Sequence, residues 1–131
     1  PVAGANHIAW QVGHLLVAER YMISTELPDA AYPELPAGFA EQHKNDSPGR
    51  EGTTSFASKA TYLDLLKQTR EATIAALDKL TDADLDRPTK GRMAPFAPPL
   101  GAIFLLASNH SLMHAGQFSV VRRKLGKPVL F

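Results

Sequence analysis

Three stretches of the chain place apolar residues at three- and four-residue spacings, the period of a helix with one buried face. In residues 6–26 the stripe is Ile8, Val12, Leu15, Leu16 and Met22 or Ile23. Asn6 suits the N-cap of this helix, and Leu27-Pro28-Asp29 supplies its stop. In residues 55–80, Tyr62, Leu65, Leu66, Thr69, Thr73, Ala76, Leu77 and Leu80 recur on one side, while Lys59, Asp64, Lys67, Arg70, Glu71 and Asp78 occupy others. The third stretch, 100–125, opens after Pro98-Pro99 and ends at Gly126-Lys127-Pro128. Its first two turns are apolar all round, which predicts the most buried helix of the three. No hairpin dipeptide separates alternating apolar runs, so the fold class is all-α.

Two connections join these helices. Residues 27–54 contain Pro28, Pro33, Pro36, Pro48, Gly38, Gly49 and Gly52 and form a crossover long enough for successive helices to run parallel. Residues 81–99 are shorter, and Thr81-Asp82-Ala83-Asp84 reads as one capped helical turn that Pro88 ends. Residues 4–14 and 100–110 echo one another, each running through apolar positions to a histidine, over too short a span to make a repeat.

At 131 residues and 44% apolar composition the chain suits a single domain, 1–131, with a core of its own. The longest apolar run, 100–107, is far short of the roughly 18 residues of a membrane span, and no leader pattern opens the chain, so the expected location is the cytoplasm. There is no cysteine, which excludes disulfides, thiolate metal sites and a cysteine nucleophile; thiol chemistry needs a thiol from outside.

The net charge of +1 conceals a divided chain. Residues 1–86 hold 7 basic and 13 acidic side chains, and residues 87–131 hold 7 basic and none acidic. Arg122, Arg123, Lys124 and Lys127 complement the dipole at the end of the third helix. Without interleaved aromatics or a recognised motif they do not make a nucleic-acid surface.

The five histidines are the informative feature. His110 and His114 stand four apart in the third helix, so both imidazoles share a face with Cβ atoms about 6 Å apart. They lie in Ser108-Asn109-His110-Ser111-Leu112-Met113-His114-Ala115-Gly116-Gln117, a polar patch in an otherwise apolar helix, and a metal would satisfy both rings at once. Gln117 shares their face and is placed to orient a bound ligand or ring. His14, on one face with Trp10 and His7, is the natural third ligand if the first helix packs antiparallel to the third. The alternative is a structural one, with His14 bonded to a backbone carbonyl or a tyrosine and His110 to Asn109. His7 reads as an exposed first-turn residue. His43, beside Glu41 and Gln42, reads as solvent-exposed, with a smaller chance of overhanging the site.

Several segments are similar to one known family. Residues 6–15 (Asn-His-Ile-Ala-Trp-Gln-Val-Gly-His-Leu), 35–40 (Leu-Pro-Ala-Gly-Phe-Ala), 80–85 (Leu-Thr-Asp-Ala-Asp-Leu), the His110-Ser-Leu-Met-His114-Ala-Gly-Gln117 run and Arg122–Pro128 resemble the DinB-like (YfiT-like) superfamily over nearly the whole chain. The resemblance implies a four-helix bundle of up-down-down-up course whose long crossover corresponds to 27–54. It implies a divalent metal, nickel or zinc, held by His14, His110 and His114. Relatives have a helix before the Gly-His-Leu helix, so the resemblance also implies a further N-terminal helix that lies outside these residues, has been removed, or is supplied by another copy in a homodimer.

Three neutral imidazoles leave the charge of a divalent ion uncompensated, which acidifies a bound water or stabilises an anionic ligand such as a thiolate. The resemblance implies a metal-dependent transfer of a low-molecular-weight thiol, a metal-hydroxide hydrolysis fits the site equally well, and the basic half of the chain favours a small anionic substrate. Trp10 and Gln117 are the expected supporting residues. Glu41 and His43 are the weak candidates for catalytic groups, because Glu19, five residues beyond His14, faces away from it. The competing reading is a non-catalytic metal-binding or stress-response protein, or a dimerisation module, in which the ion only ties helices together.

Overall fold

In the computed structural model, which describes residues 3, 5–45 and 55–128, five helices carry the fold: α1 (Ile8–Glu26), α2 (Phe39–His43), α3 (Lys59–Leu77), α4 (Asp82–Asp86) and α5 (Leu100–Lys124). No strand occurs among the described residues, so the chain is all-α with three long helices. Residues 46–54, the second part of the predicted crossover, lie outside the described ones.

The helix ends follow local chemistry. The cap of α1 is His7 rather than the expected Asn6: its Nδ1 accepts from the Ala9 amide, while the Asn6 carbonyl accepts from the Gln11 side chain. Ser58 caps α3 through the Thr61 amide, which starts the helix four residues later than the apolar periodicity suggests. Thr81 and Asp84 form the expected capping box of α4. α5 ends where Gly126 takes a φ of 67° and the Lys127 amide returns to the Arg122 carbonyl, closing the last turn.

α1 is the centre of the molecule, with α3, α5 and α2 all packed against it. Glu19 of α1 meets Arg70 and Thr73 of α3, while Leu16 packs near Tyr62 and Leu65, and Ile23 is buried in a cluster with Ala76. Both numberings rise together, so α1 and α3 run parallel, as the long crossover allows. Against α5 the order reverses: Gln11 meets His114, and Ile23 lies with Ile103. α1 and α5 are therefore antiparallel, the arrangement that brings His14 level with the histidine pair.

α5 is not the most buried helix. Leu105 and Leu112 are 67% and 69% exposed, whereas α1 buries ten of its 19 residues. The reason is neighbours rather than composition, since among the described helices α5 packs mainly on α1 and the short α4 and meets α3 only at a few side chains, Ser111 with Arg70 and Ile103 near Ala76.

The divided charge is partly reunited by folding. The Glu26 carboxylate, at the end of α1, accepts from the amides of Lys90 and Gly91 and pairs with Arg87, whose guanidinium also donates to the Glu26 carbonyl. Four donors from the basic half thus hold one buried acid of the other half and tie the connection before α5 to α1. Glu19 is buried likewise, between Arg70 at 2.9 Å and the Thr73 hydroxyl at 2.7 Å.

Candidate metal centre

His14, His110 and His114 converge between α1 and α5, each offering a ring nitrogen within 4.8 Å of the others. His14 and His114 are buried, and His110 is half-buried. The rings stand at angles to one another: His14 and His110 lie 5.1 Å apart and nearly perpendicular, and His110 and His114 4.9 Å apart at 74°. No other histidine and no carboxylate belongs to the group among the described residues.

Hydrogen bonds decide which nitrogen each buried ring offers. The Nδ1 of His14 lies 3.0 Å from the His43 carbonyl oxygen, so Nδ1 carries the proton and Nε2 keeps its lone pair. The Nδ1 of His114 lies 2.9 Å from Gln11 Oε1. The orientation of that amide is set in turn, because Gln11 Nε2 donates to the Asn6 carbonyl at 2.9 Å. His114 therefore donates from Nδ1 and also presents Nε2. Two rings whose outer nitrogen donates to an oxygen while the inner one stays free are the usual support of metal-bound imidazoles. The donor set, three imidazole nitrogens, fits a divalent ion such as zinc.

Electrostatics agree. Burial lowers the His110 pKa to about 4, with the adjacent His114 and His14 adding to the effect. His114 is lowered by burial and then by His14. Both rings are neutral at pH 7, the state in which an imidazole ligates.

Trp10 stacks parallel on the His14 ring with centroids 4.9 Å apart. Gln117 is exposed on α5. The supporting residue that the sequence reading missed is Gln11. It is 1% exposed, and its signal was an uncharged polar residue within the apolar run of α1, three residues before His14.

His43 is fully buried, not solvent-exposed. Its Nδ1 donates to the Phe39 carbonyl at 2.8 Å, and its Nε2 accepts from the Tyr62 hydroxyl at 2.9 Å. The expectation of exposure failed because residues 39–43 form a helix that carries the ring back against α1. The space it fills exists because residue 13 is glycine: a Cβ there would sit 2.2 Å from His43 Cδ2. His7 is half-buried and stacks on Phe56. Glu41 is exposed and pairs with Lys44.

The DinB superfamily model matches residues 1–118, and the chain belongs to that family. No curated protein and no solved structure matches it. No described helix is long and apolar enough to cross a membrane.

Proposed function

We propose that the three histidines hold one divalent ion, nickel or zinc, and that the protein uses it to transfer a low-molecular-weight thiol to a second small molecule. The observation that carries this reading is the convergence of three imidazoles, two of them locked with Nε2 free, with no fourth protein ligand among the described residues. A site of three ligands keeps a position for an exogenous one, whereas a purely structural site is normally closed by a fourth. When bound, the ion would supply Lewis acidity to that exogenous ligand.

Several acids of the chain are engaged elsewhere. Glu19 and Glu26 are engaged with Arg70 and Arg87, and Glu41 with Lys44. Among the described residues no carboxylate joins the three histidines. When bound, the ion would acidify a thiol or a water without such a base, so hydrolysis at the same centre is the second reading. In the transfer, the thiol's sulfur forms a bond to an electrophilic carbon, a leaving group departs with its electron pair, and the proton passes to solvent. The chain has no cysteine, so the sulfur comes with the substrate.

The test is consumption of a small thiol with an aryl halide acceptor by nickel- or zinc-loaded protein. Turnover should vanish in His110→Ala. Equal rates for loaded protein and variant would leave the non-catalytic reading, an ion that only joins α1 to α5.

A homodimer belongs to the same proposal. Leu105 and Leu112 lie seven residues apart on α5, both exposed, and offer a second copy an apolar strip. Sedimentation of wild type beside Leu112→Glu tests it: the variant should sediment as the smaller species, and a monomeric wild type would exclude it.

A further inference from the structure

A cleft of about 720 Å³ runs along the outer side of α1, walled by residues 34–41 of the crossover. Its apolar lining includes Val17, Tyr21, Leu35, Pro36, Ala37 and Ala40. The volume is that of a site for a small organic molecule. None of the three histidines lines it, and two features relate it to them.

The first is helix geometry. Val17 and Tyr21 follow His14 by three and seven residues, so they lie on nearly the same face, roughly 4.5 and 10.5 Å further along the axis. The second is the opposite wall. Gly38, at a φ of 75°, turns the chain into α2, Phe39 points into the core, and the helix ends at His43, whose carbonyl accepts from His14. Turning Phe39 inward leaves Ala37 and Ala40 along the opening, so small side chains face the cleft. Arg20 donates to the Pro33 carbonyl and holds this wall to α1. Charges at the cleft are mixed, with Arg20 beside Glu34 and Glu41, and favour neither sign.

We infer that this cleft receives the uncharged apolar portion, alkyl or aryl, of a small molecule whose polar head reaches the three-histidine centre. The inference rests on the metal reading above and adds to it the chemical character of the substrate's far end.

Hydroxamic acids of two lengths separate the two claims, because the head ligates a metal and the tail probes the cleft. Binding of acetohydroxamic and octanohydroxamic acid to zinc-loaded protein is measured by calorimetry, for wild type, Ala37→Phe and Ser24→Phe. Both substitutions fill the cleft away from the histidines, and retention of fold is checked by circular dichroism. Octanohydroxamic acid should bind wild type about tenfold tighter or more, since burying even two methylenes is worth that factor. The advantage should shrink in both variants while acetohydroxamic acid binds all three proteins alike. Equal affinity of the two acids for wild type, or an advantage untouched by either substitution, overturns the cleft assignment. A wild type that takes up no zinc overturns the metal reading and this inference with it, and failure of both acids to bind zinc-loaded wild type overturns this inference alone.

Discussion

His114 donates from Nδ1 to the side-chain oxygen of Gln11 across the α1–α5 interface, at 2.9 Å. The bond leaves His114 Nε2 with its lone pair in a ring grouped with those of His14 and His110, and the Gln11 amide is itself anchored to the Asn6 carbonyl. One residue of the first helix therefore sets the tautomer of a ligand on the last.

Replacing Gln11 with leucine should lower zinc affinity by about 10–100-fold, the usual effect of losing such a partner. Gln11→Glu keeps an acceptor at the same place and should retain most of the affinity. Competition titration against a chromophoric chelator measures both; equal losses in the two variants would mean that the hydrogen bond is not what matters.

Gly13 is the second point of control. A Cβ there would meet three His43 ring atoms at 2.2–2.6 Å, so Gly13→Ala must displace the ring. The ring's bonds to Phe39 and Tyr62 would go with it, and the His43 carbonyl would move off His14. Overpacking of this kind costs about 1–3 kcal/mol. Urea denaturation should show that loss in the metal-free protein, and zinc affinity should fall in parallel.

These residues also show how far the sequence could be read. Spacing places His110 and His114 on one face, and apolar periodicity locates α1, α3 and α5 to within a few residues. Gln11 and His43 were out of reach for a common reason: each acts across an interface, and sequence spacing describes a single helix. Gln11 matters only once α5 is docked antiparallel on α1. His43 is buried only because α2 forms in a segment rich in proline and glycine and then fits against Gly13. Gln117 drew notice for sharing the face of His110 and His114, but that face is broad and its outer part meets solvent. The all-apolar opening of α5 suggested deep burial, yet burial depends on how many helices surround it.

Acid should weaken the metal-free protein through His110. Its folded pKa is lowered to about 4, below the 6.5 of a free imidazole. Between those values the unfolded chain binds more protons, so this group's contribution to stability is intact above pH 6.5 and is lost progressively as pH falls toward 4. His114 is lowered as well and acts with the same sign. Urea midpoints between pH 7.5 and 4.5 should fall less steeply for His110→Gln than for wild type. An unchanged slope would contradict the assignment.

The Glu19–Arg70 pair supports the scaffold rather than the chemistry. Arg70→Ala leaves a buried carboxylate with the Thr73 hydroxyl as its remaining partner, and should destabilise the fold by about 3 kcal/mol. Thermal denaturation measures the loss. Zinc affinity of the folded variant at low temperature should match wild type, because Arg70 touches none of the three histidines.

The most direct test of the account is the metal content of the purified protein, by elemental mass spectrometry, beside the His110→Ala/His114→Ala double variant. Wild type should carry about one nickel or zinc ion per chain and the variant none, both remaining folded. A folded wild type that stays empty after nickel and zinc are offered would contradict it, and the three rings would then be a structural cluster joining α1 to α5.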